Sequence, residues 1–145
     1  MHTKDIRDLK KSKMKFSNEI PPVYDRLRAR FGVDWDSGLI ITYGDSVYSK
    51  RPVAPDFVVH ESVHVRQQRD IGGPDIWYDR YIKDDKFRLS QELEAYRAQI
   101  KWIRDNVRDR NESFRMQRNI AMLLSSDMYG NLVTRSEAMR LLQGP

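Results

Sequence analysis

Residues 60–64 of this 145-residue chain read His-Glu-Ser-Val-His. Two histidines four apart share one face of a helix, so their imidazoles can converge on one metal ion from a single rigid element. Glu61, beside the first of them, can reach a water on that metal. The set suits metal-assisted hydrolysis, with zinc (Zn²⁺) as the expected ion. The metal acidifies the water and polarises a carbonyl, while Glu61 acts as general base. The histidines bind as neutral imidazoles, so metal affinity should fall in acid. With three histidines and six glutamates in the chain, the pattern arises by chance in well under roughly 1% of shuffled sequences. That rarity favours a metal site over two incidental surface histidines.

Two histidines do not complete a catalytic zinc site, which takes three protein ligands and keeps one position for water. Cysteine is absent and His2 is remote in sequence. A carboxylate is therefore expected, and Glu92 and Glu94 in SQELEAYRAQ are the candidates. They lie two apart on one helix and face different directions, so only one should bind. Periodicity alone does not choose between them. Charge developing on an attacked carbonyl also needs a donor. Tyr78, Tyr81 and Tyr96 lie near the motif, and Tyr81 is the preferred catalytic candidate. Tyr96, one turn after Glu92, can instead donate to a ligand. Gln67 either lines the cleft or is solvated. Arg88 and Arg97 either hold a carboxylate near the metal or form surface ion pairs. Trp77 reads as a hydrophobic anchor, and Gly72-Gly73 as a turn with no phosphate-loop context.

The elements that must position these groups can be read from period and punctuation. Residues 19–31, EIPPVYDRLRARF, predict a first helix stopped by Gly32. Leu39–Tyr43 and Ser46–Lys50 predict a hairpin turning at Gly44–Asp45, with a further short strand through Val33 and Trp35. The motif helix spans 56–70, with Asp56 as a candidate cap and Gly72-Gly73-Pro74 as its stop. Residues 75–83 form a short aromatic helix or an ordered loop. Helices are expected near 89–107 and 112–128. A last one covers 135–142, where Thr134 and Glu137 have capping-box spacing. The expected fold is α+β: mostly helical, with a small antiparallel sheet packed on the motif helix.

Length and a 39% hydrophobic content suit one compact domain over residues 1–145. Residues 1–15, with six Lys or Arg, form a flexible basic tail or a short surface helix. Without cysteine, disulfides, thiolate metal sites and cysteine nucleophiles are excluded. No apolar stretch approaches the roughly 20 residues of a membrane span, and the basic N-terminus lacks the apolar segment of a secretory signal. The expected location is the cytoplasm. The net charge of +5 is interspersed with acidic residues, and the aromatics form no nucleic-acid-binding motif, so nucleic acid is not the expected partner. A peptide or protein substrate is. The alternatives are a metal-stabilised binding module with little or no catalysis, and a basic nucleic-acid-associated protein.

Over about residues 38–100, the segments HESVHVRQQ, GGPDIWYDRYI and FRLSQELEAYR resemble the gluzincin zinc metallopeptidases, most of all small ones encoded in phage and bacterial genomes. In that group a glutamate from a later helix joins the two histidines. In its HtpX-like branch the third ligand opens an E-x-x-A-D pattern. Here Glu92-Leu93-Glu94-Ala95-Tyr96 fits up to its last position, where Tyr96 replaces the aspartate. The resemblance implies Glu92 as metal ligand, while a thermolysin-like reading takes Glu94. It also implies a small sheet over the active-site helix, peptide-bond hydrolysis, and, if phage-encoded, location in the host cytoplasm. So short a chain implies a shallow, open cleft, which a protein partner could complete.

Overall fold

The computed structural model describes residues 14–144. Three short strands, β1 (Lys15–Ser17), β2 (Ile40–Tyr43) and β3 (Ser46–Ser49), form one sheet in the order β1-β3-β2. Six helices follow the chain: α1 (Tyr24–Phe31), α2 (Pro55–Ile71), α3 (Pro74–Lys83), α4 (Asp85–Asn106), α5 (Arg110–Leu124) and α6 (Arg135–Gln143). The domain is mostly helical, and β2 lies against α2, the helix that carries the motif.

The hairpin forms in the expected register, Ile41 opposite Tyr48 and Thr42 opposite Val47. The sheet is nevertheless mixed, because β1 adds in parallel to β3. That strand comes from the end of the segment expected to be a basic tail. Met14 is buried with Val47 and Val58 beneath the sheet, and residues 1–13 of that tail lie outside the described residues. The strand expected at Val33 and Trp35 does not form. Asp34 accepts from the backbone N–H of Asp36, which closes a 3₁₀ turn over Trp35–Ser37. Tyr24 accepts from the Trp35 backbone N–H and holds that turn on α1.

Helix boundaries differ from the expected ones for local reasons. A residue before proline is pushed out of the α region, so Ile20 and Pro21 stay extended or turned and α1 begins only at Tyr24. Gly32 ends it in the left-handed region, at φ 70°. Residues 74–83 resolve to a helix, with Pro74 at its first position. α5 stops at Leu124, and Asp127–Tyr129 form a separate 3₁₀ turn. Thr134 and Glu137 make the expected capping box on α6.

α4 is the central column. Ile100 and Ile103 share one apolar core with Ile120, Ala121 and Leu124 of α5 and Ala138 and Leu142 of α6. At its start, Arg88 is completely buried. It is neither a surface ion-pair partner nor a holder of a metal-site carboxylate. It donates to the backbone carbonyls of Tyr129 at 2.8 Å and Tyr81 at 2.7 Å, and pairs with Asp85. A buried guanidinium thereby ties the turn carrying Tyr129 to α3 and α4. Arg97 does similar work further along, donating to the Leu141 carbonyl of α6.

Candidate metal centre

The long contact between α2 and α4 brings the site together. Along α2, Asp56, His60 and His64 recur every four residues. Along α4, Glu92, Tyr96 and Gln99 recur at four and three. Each set therefore lies on one helix face, and the two faces meet. His60, Glu61, His64 and Glu92 are between 2% and 5% exposed. The site is buried rather than shallow: Trp77, Tyr78 and Tyr81 of α3 line the cavity that leads to it.

His60, Glu61 and His64 form a cluster able to hold a divalent metal, with ligand atoms all within 4.8 Å of one another. Glu92 enters the same space. Its Oε1 lies 3.1 Å from His60 Nε2 and 3.2 Å from His64 Nε2, and the two Nε2 atoms are 3.1 Å apart. Glu94 does not enter: it is half-exposed and accepts from Arg66 and from Gln67 Nε2.

Hydrogen-bond polarity explains what this triangle needs. Asp56 Oδ2 lies 2.8 Å from Gln99 Nε2. A carboxylate only accepts, so the Gln99 amide turns its nitrogen to Asp56 and its oxygen to His60 Nδ1, at 2.9 Å. Nδ1 of His60 then carries the hydrogen, and Nε2 of the neutral ring presents a lone pair. His64 is set the same way. Gln67 Nε2 donates to the Gln91 carbonyl and to Glu94, which leaves its Oε1 to accept from His64 Nδ1 at 2.8 Å. Three lone-pair atoms thus crowd within 3.2 Å of each other. A cation at their centre, a metal ion or in its absence a proton on one imidazole, makes that arrangement favourable.

The triangle also has the right size. Zinc–ligand distances of about 2.0–2.1 Å in tetrahedral geometry separate neighbouring ligand atoms by about 3.3 Å. The observed edges of 3.1–3.2 Å match this closely. Glu92 Oε2 accepts from the Tyr81 hydroxyl at 2.6 Å, which leaves Oε1 facing the two imidazoles.

The same preference for a cation appears in the proton equilibria of the metal-free site. Burial opposes charge on His64, but the Glu92 carboxylate outweighs it, with help from Glu61 and Gln67, and the imidazole is raised to about 9. Burial likewise opposes charge on Glu92, yet His64 and His60 hold its carboxyl well below the ordinary carboxylate range. The signs give a stability window. His64, raised above its ordinary 6.5, contributes stability that is complete below pH 6.5 and lost as pH rises towards 9. Glu92, depressed, contributes above its ordinary 4.5 and loses that contribution in acid. Urea unfolding of chelator-treated protein should therefore show a midpoint that falls between pH 6.5 and 9. Metal-loaded protein should show no such fall, since imidazoles that hold a metal are already neutral and have no proton to lose there.

Glu61 stands beside the triangle, its Oε2 3.9 Å from His60 Nε2. Its other oxygen accepts from Thr42 Oγ1 of β2 at 3.0 Å. Burial pushes the Glu61 carboxyl above the ordinary range, and the two imidazoles partly offset this. A base displaced towards neutrality is better matched to proton transfer near pH 7.

The remaining candidates take different places. Tyr81 reaches the site, but its hydroxyl hydrogen is spent on Glu92; it touches the carboxylate and offers no free donor to a carbonyl. Tyr78 donates to the Thr42 carbonyl. Tyr96 packs its ring on His60, with centroids 4.2 Å apart, and its hydroxyl pairs with that of Tyr129 rather than with Glu92. Trp77 is the expected buried anchor, stacked on Tyr81. Gln67 binds His64 instead of lining the cleft. Asp56 makes no cap. Ala54 occupies the cap position without a side-chain bond, and the Asp56 carboxylate serves Gln99.

Sequence reasoning missed Gln99, Thr42, Gln68 and Tyr129. Gln99 was findable, seven residues after Glu92 and so on its face of the helix. Gln68, which joins α2 to the Thr42 carbonyl and the Gly44 N–H, had no local signal. A mainly apolar cavity of about 220 Å³ opens on the site, walled by residues such as Leu27, Phe31, Leu39, Ile41, Leu123 and Met128. Among the described residues, no helix is long and apolar enough to cross a membrane. Comparisons with protein-family models, with curated proteins and with solved structures give no match for this chain.

Proposed function

We propose that this chain is a zinc-dependent hydrolase of peptide bonds, with His60, His64 and Glu92 as metal ligands and Glu61 as general base. The observation that carries the reading is the buried triangle of three acceptor atoms with the buried Glu61 carboxylate beside it. A glutamate arriving from a later helix is also the arrangement the gluzincin resemblance implies. Nitrogen and carboxylate donors at this spacing suit zinc.

Held by His60, His64 and Glu92, zinc would supply the Lewis acidity that acidifies a water and polarises a substrate carbonyl. Glu61 takes a proton on Oε2, the oxygen that Thr42 leaves free, and later passes it to the leaving amine. Thr42 keeps the carboxylate from rotating away. Tyr81 acts through Glu92, holding Oε2 so that Oε1 alone faces the metal. The apolar cavity receives a hydrophobic side chain of the substrate and keeps bulk water from the reacting groups.

The test is to load the purified chain with zinc, measure metal content, and incubate it with a library of unstructured peptides read by mass spectrometry. One equivalent of zinc is expected, with cleavage that stops on chelation and returns on zinc addition. Stoichiometric zinc without cleavage of any peptide would point to a metal-stabilised binding module instead. Absence of stoichiometric zinc would sink the metal centre.

A further inference from the structure

Two buried side chains have no part in that hydrolysis. Asp56 lies in the first turn of α2 and Gln99 two turns beyond Glu92 on α4, and both are almost fully buried. Asp56 is one helical turn before His60, yet it does not contact the imidazole. Gln99 stands between them, 2.8 Å from Asp56 and 2.9 Å from His60 Nδ1.

A primary amide is nearly symmetric in shape, and reversing it exchanges a donor for an acceptor. Were Gln99 reversed, its NH₂ would face His60 Nδ1, which would then have to accept. The ring hydrogen would move to Nε2, where it blocks metal coordination. His64 is insured against this: its partner Gln67 donates to the backbone carbonyl of Gln91 as well as to Glu94. Among the described residues, Gln99 has Asp56 alone on its amide nitrogen. Position 56 also suits an acidic side chain, being at the positive end of the α2 dipole.

We propose that Asp56 is a positioning residue for metal binding, which by orienting and polarising the Gln99 amide keeps the hydrogen of His60 on Nδ1 and its Nε2 lone pair on the metal. This rests on the metal-centre reading above. The negative charge lies one residue further from the imidazole than in a direct carboxylate–histidine pair, with a neutral amide carrying its effect.

The test is a two-step exchange of polarity. Asp56→Asn keeps shape and hydrogen-bond count, but lets the new amide and that of Gln99 reverse together and removes the charge behind them. Zinc affinity, measured by competition with a fluorescent chelator, should fall about 10–100-fold, the usual cost of losing a partner behind a ligand. Adding Gln99→Glu to that variant places an acceptor-only group directly on His60 Nδ1 and restores the original charge, with the amide introduced at position 56 now donating to it. Affinity should return to the wild-type value or exceed it. A purely structural role for Asp56 would not be repaired by a second change in the core. Far-ultraviolet circular dichroism of the metal-free proteins checks that all three are folded.

Wild-type protein that takes up no zinc overturns the metal centre, and this inference with it. Wild-type binding with Asp56→Asn within about threefold of it, or a double variant that stays as weak as the single one, overturns the inference and leaves the metal centre standing.

Discussion

Glu61→Gln should retain one zinc and lose about 10²–10⁴-fold in turnover, the range a positioned general base supplies. The substitution is isosteric, and the amide oxygen can still accept from Thr42. The triangle of His60, His64 and Glu92 is untouched, so metal content should not change. What disappears is the proton acceptor on Oε2. The comparison to make is kcat with zinc content measured on the same samples. Equal loss of metal and activity would mean that Glu61 supports the ligands and is not the base. Full activity with full metal would remove it from the chemistry altogether.

The second large effect separates two neighbouring carboxylates. Glu92→Gln should weaken zinc binding by more than about 10²-fold, exceeding the usual cost of changing a partner behind a ligand. A neutral amide is a poor zinc ligand, while Tyr81 can still bond to it, so the fold should survive. Glu94→Gln should change zinc affinity by less than about threefold. Glu94 is half-exposed, its pair with Arg66 is open to solvent, and surface pairs contribute little. Gln67 also keeps its bond to the Gln91 carbonyl, so the His64 tautomer does not depend on Glu94. Chelator competition on both variants measures this. The opposite ranking would assign the third ligand to Glu94.

The contrast between Glu92 and Glu94 shows how far local pattern reaches. Helical period places the two on different faces, but period carries no information about which face meets α2. That depends on the core. Ile103 lies on the same face of α4 as Glu92 and Gln99, and burial of that face carries Glu92 to α2 while Glu94 stays half-exposed. Tyr81 illustrates the same limit. Its nearness to the site was legible, but the atom its hydroxyl would meet was not. The basic tail misled for a different reason: Met14 and Lys15 look like the end of a charged segment, and only the exposed edge of β3 makes a strand of Lys15–Ser17.

Residues 60–64 therefore determined on their own what a short helix can determine. Two imidazoles and a carboxylate stand at fixed relative positions, because backbone geometry relates residues one and four apart without help from the rest of the chain. Local signals also placed the hairpin, the stop at Gly72 and the capping box of α6. Tertiary structure alone decided that α4 delivers Glu92 within 3.2 Å of both histidines. It also decided that α3 packs on the site, that Asp56 accepts from Gln99 and that Glu94 accepts from Gln67. The contacts of Glu92 with the histidines, of Asp56 with Gln99 and of Glu94 with Gln67 join groups 27 or more residues apart. Their geometry follows from how whole helices pack, which no local spacing encodes.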